Sequence, residues 1–239
     1  MRYNVVGPAA LLVGVAFAAG CGRAEQSKTE TTATSTTSTS TSPSITAAPA
    51  ETTLSAGAIG ARTEAQDHFD KSREAFVKKD MKTASAELRD ASAFMRTRAD
   101  SATGFAKALS TRSASELDSL ARGVESNSVT SAARLDHAFA HANRAEAERH
   151  YALATRAWAQ HQATRTGEEL TMAIDHLERA AKDAGIPLDS AATGTMTRAR
   201  AVADSQLQGG TAPNGVDEAL KDVELQLRRF GARLENKRM

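Results

Sequence analysis

Beyond residue 60 the apolar side chains of this chain recur every three or four positions, and no run of Val, Ile, Tyr and Thr alternates with a period of two. Residues three and four apart share a face of a helix, whereas residues two apart share a face of a strand. Aromatics are only 4% of the chain, and the abundance of alanine beside Glu, Arg, Leu, Lys and Gln favours helix over strand. The pattern predicts an all-α fold, a helical-hairpin or bundle domain over residues 61–239. Its small core residues let helices approach closely.

The breakers set the expected elements. One helix runs over 62–79 and stops near Asp80. A second covers 82–109, with Gly104 as a possible break, and carries apolar positions from Met81 and Leu88 through Met95 to Leu109. A third spans 113–124, with Ser113 and Glu116 at capping-box spacing. Residues 128–161 lack an internal breaker and read as one long helix. Thr166 and Glu169, again at capping-box spacing, open a helix over 166–184 that Gly185-Ile186-Pro187 stops. Another helix covers 190–208, a loop runs from Gly209 to Gly215, and a last helix spans 216–236. That helix has a seam of Val216, Leu220, Val223, Leu227, Phe230 and Leu234. The seam is short of three heptads, so packing onto its own domain is expected ahead of a dimer zipper. Arg228, Arg229, Arg233, Lys237 and Arg238 crowd its end, where the helix dipole favours cations.

The chain also matches itself at an offset of 82 residues. His68-Phe69 aligns with His150-Tyr151, Ala75-Phe76 with Ala157-Trp158, and Leu88, Ala91, Met95 and Ala99 with Leu170, Ala173, Leu177 and Ala181. The expectation is an internal duplication, with repeat units over about 62–143 and 144–236. His150-Tyr151, Ala157-Trp158, Leu170, Ala173 and Leu177-Glu178-Arg179-Ala180 resemble a tetratricopeptide helical hairpin, as do His68-Phe69, Ala75-Phe76, Leu88, Ala91 and Met95. Neither block has that family's Gly or its closing Pro. The spacing is also similar to the helical core of YfdX-type bacterial envelope proteins. These resemblances imply helical hairpins used for protein contacts.

The first 20 residues read as a signal peptide. Arg2 supplies a positive charge, and the apolar run from Val5 to Ala19 is too short to span a bilayer. It leads through Ala18-Ala19-Gly20 into Cys21, the only cysteine of the chain. That tetrad resembles the lipobox of bacterial lipoproteins, with Ala18 where the family usually has Leu. The resemblance implies that the Cys21 thiol receives a diacylglyceryl group, that the chain is cut before it, and that the new N-terminus is acylated again. One acyl chain holds a membrane marginally and two or three hold it stably. Gly22, not Asp, follows the cysteine. By resemblance to enterobacterial sorting, in a cell with two membranes this favours the outer membrane, facing the periplasm, over the inner membrane. Residues 21–60 then form the lipid anchor and a Thr/Ser-rich tether with too few apolar groups to fold; as a coil it spans roughly 35 Å.

The net charge of +1 gives no reason to expect a nucleic-acid partner. A single cysteine excludes an internal disulfide and multi-cysteine metal sites. No nucleophile elbow, phosphate-binding glycine loop or haem-attachment motif occurs, so no enzyme activity and no cofactor are expected. Histidine supplies the remaining candidates. His137 and His141 are four apart, the spacing at which two imidazoles on one helix face can share a metal; the expectation is a solvated face without a third ligand. His68 and His150 hold matching places in the two repeats, and either position a helix or converge on a ligand. His176, Tyr151 and Trp158 read as packing residues, and Glu168, Glu169, Asp175 and Glu178 as solvated faces. The chain therefore reads as a membrane-anchored envelope lipoprotein whose helical repeats bind another envelope protein. The alternative is a small-ligand or metal carrier using its paired histidines.

Overall fold

Seven helices follow one another in the computed structural model, which describes residues 56–209 and 213–237: α1 (Ala56–Val77), α2 (Met81–Ser101), α3 (Gly104–Glu125), α4 (Ala132–Ala159), α5 (Ala163–Asp183), α6 (Ser190–Leu207) and α7 (Pro213–Asn236). No strand occurs among the described residues, and all of them fall in one compact unit, Pro49–Met239. The fold is all-α. The expected signal peptide, Cys21 and the expected tether up to residue 55 lie outside the described residues. The helical domain starts earlier than residue 61, because α1 begins at Ala56 and takes in 56–60. No described helix is long and apolar enough to cross a membrane.

Two hydrophobic cores share one helix. Phe69 and Phe76 of α1, Leu88 and Met95 of α2, Leu117 and Val124 of α3, and Leu135 and Phe139 of α4 form the first. Leu170, Ile174 and Leu177 of α5, Met196 of α6, and Val223, Leu227 and Phe230 of α7 form the second, onto which Tyr151 and Trp158 pack while partly exposed. Helix α4 belongs to both: Ala138, Ala142 and Ala145 face the first core, and Ala140, Ala147 and Ala154 face the second. A helix buried on two sides needs small residues on both, and alanine also costs no side-chain entropy. The α7 seam is consumed by its own domain, with Val216, Val223, Leu227 and Leu234 fully buried.

Caps explain where sequence reading and structure part. Asp80 caps α2 by accepting from the Thr83 amide, Ser131 caps α4, and Asp189 caps α6. Ser113 and Thr166 cap nothing. Both are buried inside α3 and α5, and the Thr166 hydroxyl donates back to the Gln162 carbonyl. Capping-box spacing arises by chance in Ser/Thr-rich helices. The expected helix over 82–109 is two helices, broken at Ala102-Thr103 ahead of Gly104, whose φ is +56°. The basic end of α7 also does more than face its own dipole. Lys237 Nζ donates to the Ala184 carbonyl at the end of α5, and Arg233 donates to the Pro187 carbonyl at 3.2 Å.

The 82-residue spacing recurs in the geometry. Helices α1 and α4 end at Val77 and Ala159, and α2 and α5 run over 81–101 and 163–183. Left-handed backbone terminates helices at Lys79 and Asn127 and again at His161 and Gly209. The pair Arg96–Asp118 in the first half has its counterpart, with charges exchanged, in Glu178–Arg200 in the second. Helix α4 runs unbroken through the expected boundary between residues 143 and 144.

Candidate metal centre

The α3–α4 hairpin turns over Ser126–Ser131, and residues equidistant from that turn lie opposite one another. His137 and His141 occupy adjacent turns of α4, with ring centroids 4.6 Å apart and planes tilted by 56°. Facing them from α3 is Glu116, whose Oε1 lies 3.8 Å from His137 Nδ1. One ligand atom from each of the three lies within 4.8 Å of the others. The expectation of a solvated pair without a third ligand is thus corrected: the histidines are half-buried and Glu116 completes a His/His/Glu set. Glu116 was visible in the sequence only as a misread cap. The signal that could have found it is its sequence distance from the turn, which matches that of His141.

Burial acts in opposite senses on two ligands of this site, favouring the neutral imidazole of His141 and the protonated carboxyl of Glu116. Burial, and after it the proximity of His137, Arg112 and Arg144, pushes His141 down to about 4, so its imidazole is neutral at pH 7. Burial pushes the Glu116 carboxyl up, while His137 and Arg112 pull it down. His137 Nε2 is buried without a hydrogen-bond partner. Two imidazoles and one carboxylate suit zinc and other divalent first-row metals, leaving a fourth position open.

The other two histidines sit in different chemistry. His150 Nδ1 is 2.7 Å from Glu169 Oε2, and its stacked neighbour His176 bonds Asn143 Oδ1 at 3.0 Å. Glu146, His150 and His176 are all buried and close enough to hold a metal. A cation already stands there, however. Arg149 Nη2 lies 2.8 Å from His150 Nε2 and 3.2 Å from Glu146 Oε2, with Arg98 a further 3.6 Å contact on Glu146. Since guanidinium only donates, His150 Nε2 accepts, and its Nδ1–H donates to Glu169. His68 repeats half of this arrangement, with Nδ1 2.7 Å from Glu87 Oε2 and the exposed Asp90 nearby. His68 and His150 therefore fall in separate clusters. Two expected solvated carboxylates are also engaged: the half-buried Glu169 holds His150, and the buried Asp175 takes Arg200 at 2.7 Å. His176 packs as expected, at 2% exposure.

No known protein family, curated protein or solved structure matches this chain.

Proposed function

We propose that this chain is a lipid-anchored cell-envelope protein whose helical domain reversibly binds a divalent first-row metal ion at Glu116, His137 and His141. The observation that carries the metal reading is the placement of Glu116 against a helical histidine pair, 3.8 Å from His137. Among the described residues, the other two histidine–carboxylate clusters each hold a His–carboxylate contact of 2.7 Å, and one also has an arginine between its ligand atoms, whereas here the closest such contact is 3.8 Å and no arginine intervenes. Arg112 and Arg144 act on the same site; their charge opposes a cation and suits an ion that is released again. The anchor rests on the residues Ala18-Ala19-Gly20-Cys21. A protein-contact role for the hairpins has less support, because the α7 seam is spent internally and, among the described residues, the exposed large apolar ones are the scattered Val77, Phe105 and Leu225.

Zinc equilibrium dialysis with metal analysis tests the reading, using the chain with Cys21→Ser so that the thiol contributes nothing. One zinc per chain is expected. His137→Ala and His141→Ala abolish it, Glu116→Gln weakens it about tenfold or more, and His68→Ala leaves it intact. Zinc retained in the His137→Ala/His141→Ala double variant sinks the proposal. For the anchor, Cys21→Ala is expected to remain unprocessed; normal cutting and acylation of that variant overturns it.

A further inference from the structure

A cavity of about 570 Å³ opens between α1, α4 and α5. Its size falls within the range of small-molecule sites, and apart from Gln66 the residues lining it are charged. Asp70 and Arg73 come from α1, Asp136 from α4, and Arg179, Lys182 and Asp183 from α5.

The ion pairs of this wall are distributed unevenly. All three carboxylates converge on one guanidinium: Arg73 contacts Asp136 at 2.7 Å, Asp183 at 3.1 Å and Asp70 at 3.2 Å. Asp183 accepts a further hydrogen bond from Asn143 Nδ2 at 2.9 Å. Arg179 and Lys182, one turn apart on α5, are the cations these carboxylates leave over among the described residues. Arg179 Nη1 is buried without a hydrogen-bond acceptor. A guanidinium nitrogen buried at a cavity wall without an acceptor has lost hydration that nothing replaces. An oxyanion in the cavity supplies the acceptor. The planar fork of arginine matches a carboxylate or phosphate in two-point contact, and a lysine ammonium one turn on adds a mobile second charge.

The cavity also has a neighbour. Asp136, Lys182 and Asp183 line a second space of about 360 Å³, which extends to His137 and to Lys237. Lys182 thus stands where the two spaces meet, with a third cation, Lys237, beyond it.

We infer that the α1/α4/α5 cavity is a binding site for a small oxyanion, a carboxylate- or phosphate-bearing metabolite, held by Arg179 and Lys182. The inference does not rest on metal binding, and each can fail alone. The Cys21→Ser chain is titrated calorimetrically with inorganic phosphate and, separately, with succinate. Saturable binding of at least one is expected. Arg179→Gln and Lys182→Gln each weaken it about tenfold or more, with unfolding temperatures unchanged and zinc binding retained. Binding of phosphate alone identifies a phosphoryl ligand, and of succinate alone a carboxylate; either supports the site. Absence of binding for both anions up to about 10 mM, near the weak limit of specific recognition, overturns it. So does an affinity that Arg179→Gln leaves unchanged.

Discussion

His150 Nδ1 lies 2.7 Å from Glu169 Oε2, and the same contact, at the same distance, joins His68 to Glu87 exactly one 82-residue step earlier. The two pairs differ in their surroundings. The His68 and Glu87 side chains are 23% and 20% exposed, whereas those of His150 and Glu169 are 8% and 16% exposed and continue into Arg149 and Glu146. The same chemistry therefore carries different energies. Urea unfolding is expected to give a loss of about 2–3 kcal/mol for Glu169→Gln, which leaves a buried network one partner short, and under about 1 kcal/mol for Glu87→Gln. Equal losses contradict the difference in burial.

Acid weakens the fold through His141. Its folded pKa of about 4 lies below the ordinary 6.5. Between these values the unfolded chain takes up a proton that the folded chain does not, so stability present above about 6.5 drains away as pH falls toward 4. His141 is partly exposed, and solvent screening trims the effect to about 1–2 kcal/mol. Glu116, raised by burial, acts in the opposite sense and offsets part of it. Denaturant midpoints measured from pH 7.5 to 4.5 are expected to show a shallower decline in His141→Gln than in the parent.

Zinc is expected to raise the unfolding temperature, since an ion that binds only the folded chain stabilises it by about 2.7 kcal/mol at a hundredfold excess over its dissociation constant. The rise disappears in His137→Ala. It also shrinks as pH falls toward 4, where a proton competes with the metal for His141. Scanning fluorimetry with and without chelator measures both effects.

Three helical glycines give opposite outcomes. A methyl at Gly167 meets the Ala203 carbonyl oxygen at 2.5 Å, where α5 and α6 cross. A methyl at Gly231 collides with the guanidinium of Arg144, which is buried and bonded to Glu235 at 3.0 Å. At Gly194 the nearest atom is Arg198 Nη1, at 3.8 Å. Gly194→Ala is therefore expected to stabilise by about 0.5–1 kcal/mol through helix propensity. Gly167→Ala and Gly231→Ala destabilise by about 1–3 kcal/mol through overpacking. Thermal unfolding of the three variants tests the sign of each.

Lys79 and His161 end α1 and α4 with φ of +64° and +56°. Each donates its amide three residues back, while the next residue's amide reaches five residues back, to Ala75 and Ala157 respectively. This Schellman closure prefers glycine. Lys79→Gly and His161→Gly are each expected to raise stability by up to about 1 kcal/mol, since glycine carries no Cβ penalty in this conformation. A loss at both sites contradicts the assignment of strain.

The sequence by itself determined the class of fold, the number and rough course of most helices and the self-burial of the α7 seam. These follow from local periodicity and from breakers such as Asp80 and Gly185, which act over a few residues wherever the chain goes. It could not tell a cap from a buried hydroxyl, and so misplaced Ser113 and Thr166, because a Ser or Thr oxygen can serve either the next turn or the previous one. Only the tertiary structure decided which side chains meet. Glu116 faces His141 across a hairpin, Arg149 stands between Glu146 and His150, and Asp70, Asp136 and Asp183 all spend themselves on Arg73. The reason is physical: a charge's partner is set by helix packing and register between distant segments, and neither is encoded in the spacing of neighbours along one helix.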